Sequence, residues 1–450
     1  MNKEVDLLKG PIISTLVTFS IPIMTVSFMQ MAYNLTDIFF VGQLGVQAVA
    51  ATGTMGYFLW VGESLMHMPQ LGVRVLGAQR YGAGQTDRVV KSIACGGQIA
   101  FALSLVFAGL LFFANQPLIA FFHLEPQVAQ LAGQYSRVMA WGMPFSFLAP
   151  ILSAAFNSIG NSQTPFRINM LGLLANVILN PIFIFGLGPF VPMGVAGAAL
   201  GTVLAKALVF FLLWRACRQH ETLLAYIPWF KRASLKDALE VIKIGLPSAA
   251  QSLVHVFVSM FLNRLVASYG SVAVAVFSTG SQFESISWLT SEGFAYGLTA
   301  FIGQNYGARL KNRIQEGTRK GLLVLAILGL VATSLLIGFR YQLFPIFIPN
   351  DQQAMLLGAN YLLILGFSQF FMCIEIGSTG IFQGLGQTAI PSSIGILFNL
   401  LRIPLAIVLT PVLGLNGVWW ALTLSSIMKG ILAFSGLLVY NRRMVYPKMV

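Results

Sequence analysis

The chain has 450 residues, of which 56% are hydrophobic and only 9% charged, and its mean hydropathy is +0.78. A soluble domain carries about 25% charged residues, so the composition excludes a water-soluble globular protein and points to a polytopic membrane protein. A net charge of +13 would suggest nucleic acid in a soluble chain; here the placement of the cations argues against that partner.

Twelve apolar runs are each long enough for a membrane helix, which needs roughly 20 residues. In chain order they are 13–40, 47–70, 92–114, 131–155, 166–188, 193–215, 243–268, 272–301, 318–340, 355–380, 390–411 and 416–440. They are solidly apolar, whereas a barrel strand alternates over about 10 residues. No A-x-A-like cleavage site follows the first run, so it reads as a span and not a leader.

Twenty-one of the 27 cations fall on one side of these spans. They include Lys3 and Lys9 before the first span, Arg74 to Lys91 after the second, and Arg215 to Lys243 between the sixth and seventh. Arg167 after the fourth span, Arg309 to Lys320 and Arg442 to Lys448 complete the set. Cytoplasmic loops carry the Lys/Arg excess, so both termini are expected in the cytoplasm. Cys95, Cys217 and Cys373 are scattered and show neither a disulfide framework nor metal spacing.

The chain also repeats itself. QRYGA at 79–83 matches QNYGA at 304–308, an offset of 225, and Pro22, Gly45 and Arg88 match Pro247, Gly270 and Arg313 at the same offset. FNSIGNSQTP at 156–165 matches FQGLGQTAIP at 382–391, at offset 226, and GVAG at 194–197 matches GLNG at 414–417, at offset 220. Six spans per half make this a parallel repeat, a common secondary-transporter architecture. The expected organisation is an all-α membrane protein of twelve helices in two parallel six-helix lobes around a central cleft. The lobes are 1–220 and 243–450, joined by a cytoplasmic linker at 221–242 that carries dense charge and reads as a hinge.

Ionisable residues inside spans are functional candidates by default. Five acids qualify: Asp37, Glu63, Glu284, Glu292 and Glu375. Asp37 is the only charge between Ile12 and Val41, and it shares a helical stripe with Gln30, Tyr33 and Asn34. Asn176 and Asn180 form a second stripe at i, i+4 in the fifth span. Read from the residues alone, that stripe serves either a site or helix–helix hydrogen bonding. At offset 225, Asp37 maps to Leu262 and Gln30 to His255, so the second half lacks the aspartate. His255 fits either a proton relay or a plain hydrogen bond. Glu284 and Glu375 fit either a cationic cargo or an ion pair with Arg402.

The combination of Pro22, Asp37, FVGQLG at 40–45, AVAATG at 48–53, the Q-x-Y-G-A segments and GNSQTP at 160–165 resembles the multidrug and toxic compound extrusion (MATE) transporters. The resemblance covers essentially the whole chain. It implies export of amphipathic, mostly cationic small molecules in exchange for H+ or Na+, with no other cofactor. It also implies a cation-coupling position at Asp37, completed by Asn176, Asn180 and the Thr202 hydroxyl. Where relatives often carry a carboxylate, this sequence has Asn180, which weakens a Na+ site at Asp37, Asn176 and Asn180 and leaves Asp37 free to take a proton. His255 falls near a glutamate position of some relatives. Glu375 sits within about a turn of a family acidic position, a spacing set by the helical repeat.

A carboxylate withdrawn from water holds its proton more tightly, and competition between an ion and a cationic cargo for one carboxylate yields antiport. Substrate-facing candidates are Gln30, Tyr33, Asn34, His255, Glu284 and Glu375. No Walker A, H-E-x-x-H or G-x-S-x-G motif is present, so neither ATP-driven export nor an enzyme is expected. The alternative within transport is a flippase for a lipid-linked or polysaccharide precursor; outside it stand a channel or a receptor. Expected partners are the lipid bilayer and small amphipathic molecules. A monomer in a bacterial cytoplasmic membrane is the expected setting.

Overall fold

The computed structural model describes residues 5–120, 122–220, 223–231, 233–346 and 351–443. Lys3, Arg232 and Lys448, three of the cations assigned to the cytoplasmic side, lie outside the described residues. All regular structure among the described residues is helical.

In chain order the α-helices are α1 (Ile12–Gly42), α2 (Val46–Gly82), α3 (Thr86–Phe113), α4 (Asn115–Ala120), α5 (Pro126–Ser158), α6 (Gln163–Phe185) and α7 (Gly194–Arg218). There follow α8 (Leu235–Ala267), α9 (Ser271–Gly307), α10 (Lys311–Gly338), α11 (Arg340–Leu343), α12 (Gln352–Gly384), α13 (Ala389–Leu413) and α14 (Asn416–Arg443). Ten of them are long and apolar enough to cross a membrane. The two other long helices, α2 and α9, each run 37 residues and are diluted by polar stretches, GESLMHMPQ in one and STGSQFESIS in the other.

The Q-x-Y-G-A segments are helical up to their glycines. They form the last turns of α2 and α9, carrying both helices well past the predicted spans. The sharp entries to these helices come from Gly45 and Gly270, at φ 105° and 101°, a backbone conformation that a side chain disfavours.

The chain forms two compact units. Unit 1 is Met1–Val5 with Thr25–Ala249, and unit 2 is Asp6–Met24 with Ala250–Val450. Membership therefore changes inside α1 and inside α8, two or three residues after Pro22 and Pro247. A proline removes one intrahelical hydrogen bond and loosens the helix there.

Within unit 1, α5 packs on α2, α3 and α7, and α6 packs on α7. Its core includes Val73, Ile93, Phe107, Phe147, Ile151 and Leu213. The start of α8 also belongs here: a Cβ on Gly245 would stand 1.9 Å from the Met68 carbonyl oxygen, so only glycine lets these helices touch. Within unit 2, α12 packs on α9, α10 and α14, and α13 packs on α14. Trp419 is fully buried there, stacked on Phe277 at 5.4 Å and edge-on to Tyr361 at 4.8 Å. The start of α1 rests on Gly293 and Gly297 of α9, where small residues at i, i+4 permit close approach.

The segment read as a hinge is fastened down where it is described. Gln98 of α3 donates to the carbonyls of Trp229 and Lys231, at 3.0 and 2.8 Å, and accepts from the Ala233 N–H at 3.1 Å. Trp229 also packs on Trp214, with centroids 5.0 Å apart.

Candidate functional site

Unit 1 gathers four of the predicted residues around one carboxylate. Asp37 comes from α1, Asn176 and Asn180 from α6, and Thr202 from α7. Asn180 Nδ2 donates to Asp37 Oδ1 at 2.7 Å, and Asn176 Nδ2 reaches the same oxygen at 3.3 Å. The Thr202 hydroxyl lies 3.2 and 3.0 Å from the two carboxylate oxygens. Asn176 also bridges to Thr202 Oγ1 at 3.2 Å, so one amide serves both the site and the α6–α7 contact.

Local sequence explains the fit. The i, i+4 spacing puts both asparagines on one face of α6, and both are completely buried, with Thr202 nearly so. Pro181 follows Asn180 directly and offers no N–H to the carbonyl one turn back. Gly201 allows α7 to lie against Asn180, since a Cβ there would stand 2.5 Å from Asn180 Oδ1. That oxygen is buried and has no hydrogen-bond partner among the described residues.

Chemically this is a carboxylate solvated by three neutral donors and by no cation. Among the described residues nothing forms an ion pair with Asp37. Lys206, one turn beyond Thr202, lies within electrostatic reach of Asp37 and Glu63 but pairs with neither. Such a group can exchange a monovalent cation, because no resident charge must first be displaced.

The remaining candidates divide. Tyr33 is buried, and its hydroxyl stands 2.5 Å from where a Cβ on Gly172 would be. Gln30 and Asn34, on the same predicted stripe, are exposed, so only Tyr33 and Asp37 face the interior of unit 1. Glu63 and His255 are exposed as well. Glu292 accepts from the Tyr296 hydroxyl at 2.6 Å.

In unit 2, Glu284 of α9 accepts from Tyr361 Oη and Gln369 Nε2, each at 3.3 Å. Glu375 of α12 pairs with Lys429 of α14 at 3.6 Å. Lys429 also lies 3.4 Å from Asn399 Oδ1. The expected partner of these acids, Arg402, forms an ion pair with neither. It donates instead to Ser425 and Ser426 at 2.9 and 3.1 Å, two adjacent hydroxyls in the interior of α14. Sequence reasoning assigned no role to Lys429, Gln369 or Asn399. The one available signal was a lysine inside an apolar run.

Helical throughout the described residues, with ten helices long and apolar enough to cross a membrane, the chain has the build of a polytopic membrane protein. The model of the MatE family matches residues 22–182 and 247–408. The chain belongs to the MatE family. The two matches begin 225 residues apart and end 226 apart, the offsets of the internal sequence matches. A probable multidrug resistance protein NorM of Thermotoga maritima is 27% identical, covering 90% of this chain and 87% of the relative. The multidrug export protein MepA of Staphylococcus aureus is 26% identical, covering 97% and 95%.

Among solved structures, an outward-facing multidrug resistance MATE family transporter of the MOP superfamily superposes with TM-score 0.90 at 22% identity, covering 98% of each chain. The Vibrio cholerae MATE transporter VcmN in its bent form gives TM-score 0.87 at 21% identity, covering 96% of this chain and 97% of that one. These likenesses show the fold.

Proposed function

We propose that this protein is an antiporter that exports amphipathic, mostly cationic organic compounds in exchange for H+, by alternating access. The observation that carries the reading is the Asp37 carboxylate, held by Asn176, Asn180 and Thr202 with no cation of its own. A proton or a cationic cargo can neutralise it, and the loss of one favours arrival of the other. The multidrug relatives support cargo of this class, and nothing favours a precursor flippase.

Two features favour H+ over Na+. A hard cation is held by oxygen ligands, yet both amide nitrogens face Asp37, so the amide oxygens would have to turn inward to complete a Na+ site. Asn180 also supplies no second negative charge. Gln30, Asn34 and His255, exposed polar groups on apolar helices, and Glu284 suit contact with cargo. Tyr33 and Glu375 are buried and serve packing and charge balance.

The same reading places α2 and α9 across the bilayer with the ten apolar helices, giving twelve spans in two six-helix lobes. The repeated halves are 1–220 and 243–450, with the linker 221–242 between them. Both termini lie in the cytoplasm of a bacterial cell whose inner membrane holds the protein as a monomer. Ethidium efflux from reconstituted vesicles tests this: an imposed pH gradient drives it in the wild type and fails to drive it in Asp37→Asn.

A further inference from the structure

The repeat offsets allow the two copies of the site to be compared residue by residue. Close contacts support that alignment. Gly197 lies against the carbonyl of Phe183, and Gly417 lies against the carbonyl of Leu409. Phe183 and Leu409 are related by offset 226, and Gly197 and Gly417 by offset 220.

At these offsets Asp37 becomes Leu262, Asn176 becomes Arg402, Asn180 becomes Ala406 and Thr202 becomes Leu422. Every ligand of the unit 1 carboxylate is lost, and a permanent cation stands where Asn176 stood. Its role in bridging helices persists. Asn176 donates from α6 to Thr202 on α7, and Arg402 donates from α13 to Ser425 and Ser426 on α14. Arg402 is buried among these groups.

The in-span acids of unit 2 come from elsewhere: Glu284 of α9 and Glu375 of α12 lie near fixed positive charge, and Glu292 of α9 accepts from the Tyr296 hydroxyl. Glu375 pairs with Lys429 at 3.6 Å, with both side chains about nine-tenths buried. Glu284 has the neutral donors Tyr361 and Gln369 and lies within electrostatic reach of Arg402 and Lys429. His255 lies within reach of the same two cations and brings no negative charge. Around Arg402, the two carboxylates Glu284 and Glu375 are matched in number by the two buried cations Arg402 and Lys429.

We infer that the unit 2 copy of the site holds no exchangeable ion: Arg402 is a tethered cation there, and one monovalent ion moves per transport cycle, through Asp37. This rests on the reading of Asp37 as the coupling carboxylate. Exchange of one proton for a monovalent organic cation then moves no net charge.

The test is the coupling stoichiometry of the wild-type protein in liposomes, with ethidium as cargo. At zero net flux, an about tenfold proton gradient balances an about tenfold ethidium gradient for one ion per cycle, and an about hundredfold gradient for two. The expected result is one ion, no response to a potassium–valinomycin potential, and no coupling in Asp37→Asn. Two ions in the wild type, falling to one in Asp37→Asn, would overturn the inference while leaving Asp37 as a coupling group. Unchanged coupling in Asp37→Asn would overturn both. Arg402→Gln, where it folds, is expected to raise the stoichiometry above one; an unchanged value of one would remove Arg402 from the account.

Discussion

The amide nitrogen of Asn180 stands 2.7 Å from the carboxylate of Asp37, across 143 residues of chain. The resemblance to relatives implies a second acid at this position, and the proposed preference for H+ over Na+ rests on the neutral donor that stands there instead. The donor holds the carboxylate in place without adding the second negative charge that would favour a bound metal cation.

Asn180→Asp should therefore move coupling toward Na+. With two carboxylates facing Thr202 and Asn176, a Na+ gradient is expected to drive ethidium efflux that the wild type does not show. Efflux under separate Na+ and pH gradients measures this. No sodium-driven efflux from a folded variant would show that the amide is not what excludes Na+.

The contact behind Asn180 is equally exposed to test. Gly201→Ala places a Cβ 2.5 Å from Asn180 Oδ1 and 3.2 Å from its backbone nitrogen. Overpacking of this kind costs about 1–3 kcal/mol, so thermal stability in detergent should fall and coupled efflux should weaken. Gly53→Ala is the matched control, since nothing lies within 4 Å of a Cβ there. It should be neutral or stabilise by up to ~1 kcal/mol.

The helices and the Asp37 cluster are largely legible in the sequence, and the reasons are physical. Apolar length marks a membrane helix directly, so most predicted spans fall within observed helices. Their ends do not follow from apolarity, because a helix continues into water: α2 runs to Gly82 and α8 starts at Leu235. The short helices α4 and α11 leave no periodic signal.

Asp37, Asn176 and Asn180 stand out because buried polar groups at helical spacing are rare in apolar runs. On the same stripe Gln30 and Asn34 are exposed while Tyr33 is buried, a division that helical spacing alone does not reveal. The Glu375–Lys429 pair escapes sequence reasoning because its partners are 54 residues apart on different helices, and nothing local favours Lys429 over Arg402.

That pair supports its own prediction. Lys429→Met leaves Glu375 buried without its counter-charge, and breaking a buried pair costs about 3–5 kcal/mol. Thermal unfolding should show a large loss, and the double variant Glu375→Gln, Lys429→Met should recover most of it. Equal destabilisation in the single and double variants would mean that the two side chains act separately.

Gln98→Ala removes three hydrogen bonds that fasten the connecting segment to α3. Limited proteolysis between Leu223 and Lys231 should speed up severalfold, with ligand-free stability falling by about 1–3 kcal/mol. An unchanged cleavage rate would show that Trp229 packing alone holds the segment.

The central claim is that Asp37 is where ion and cargo exchange. Its most direct measurement is ethidium efflux from reconstituted vesicles driven by an imposed pH gradient alone, comparing wild type with Asp37→Asn. Rapid efflux in the wild type, and none above background in a variant that melts at the wild-type temperature, is the predicted result. Efflux at the wild-type rate in Asp37→Asn would contradict the account and turn the search to Glu284 and Glu375.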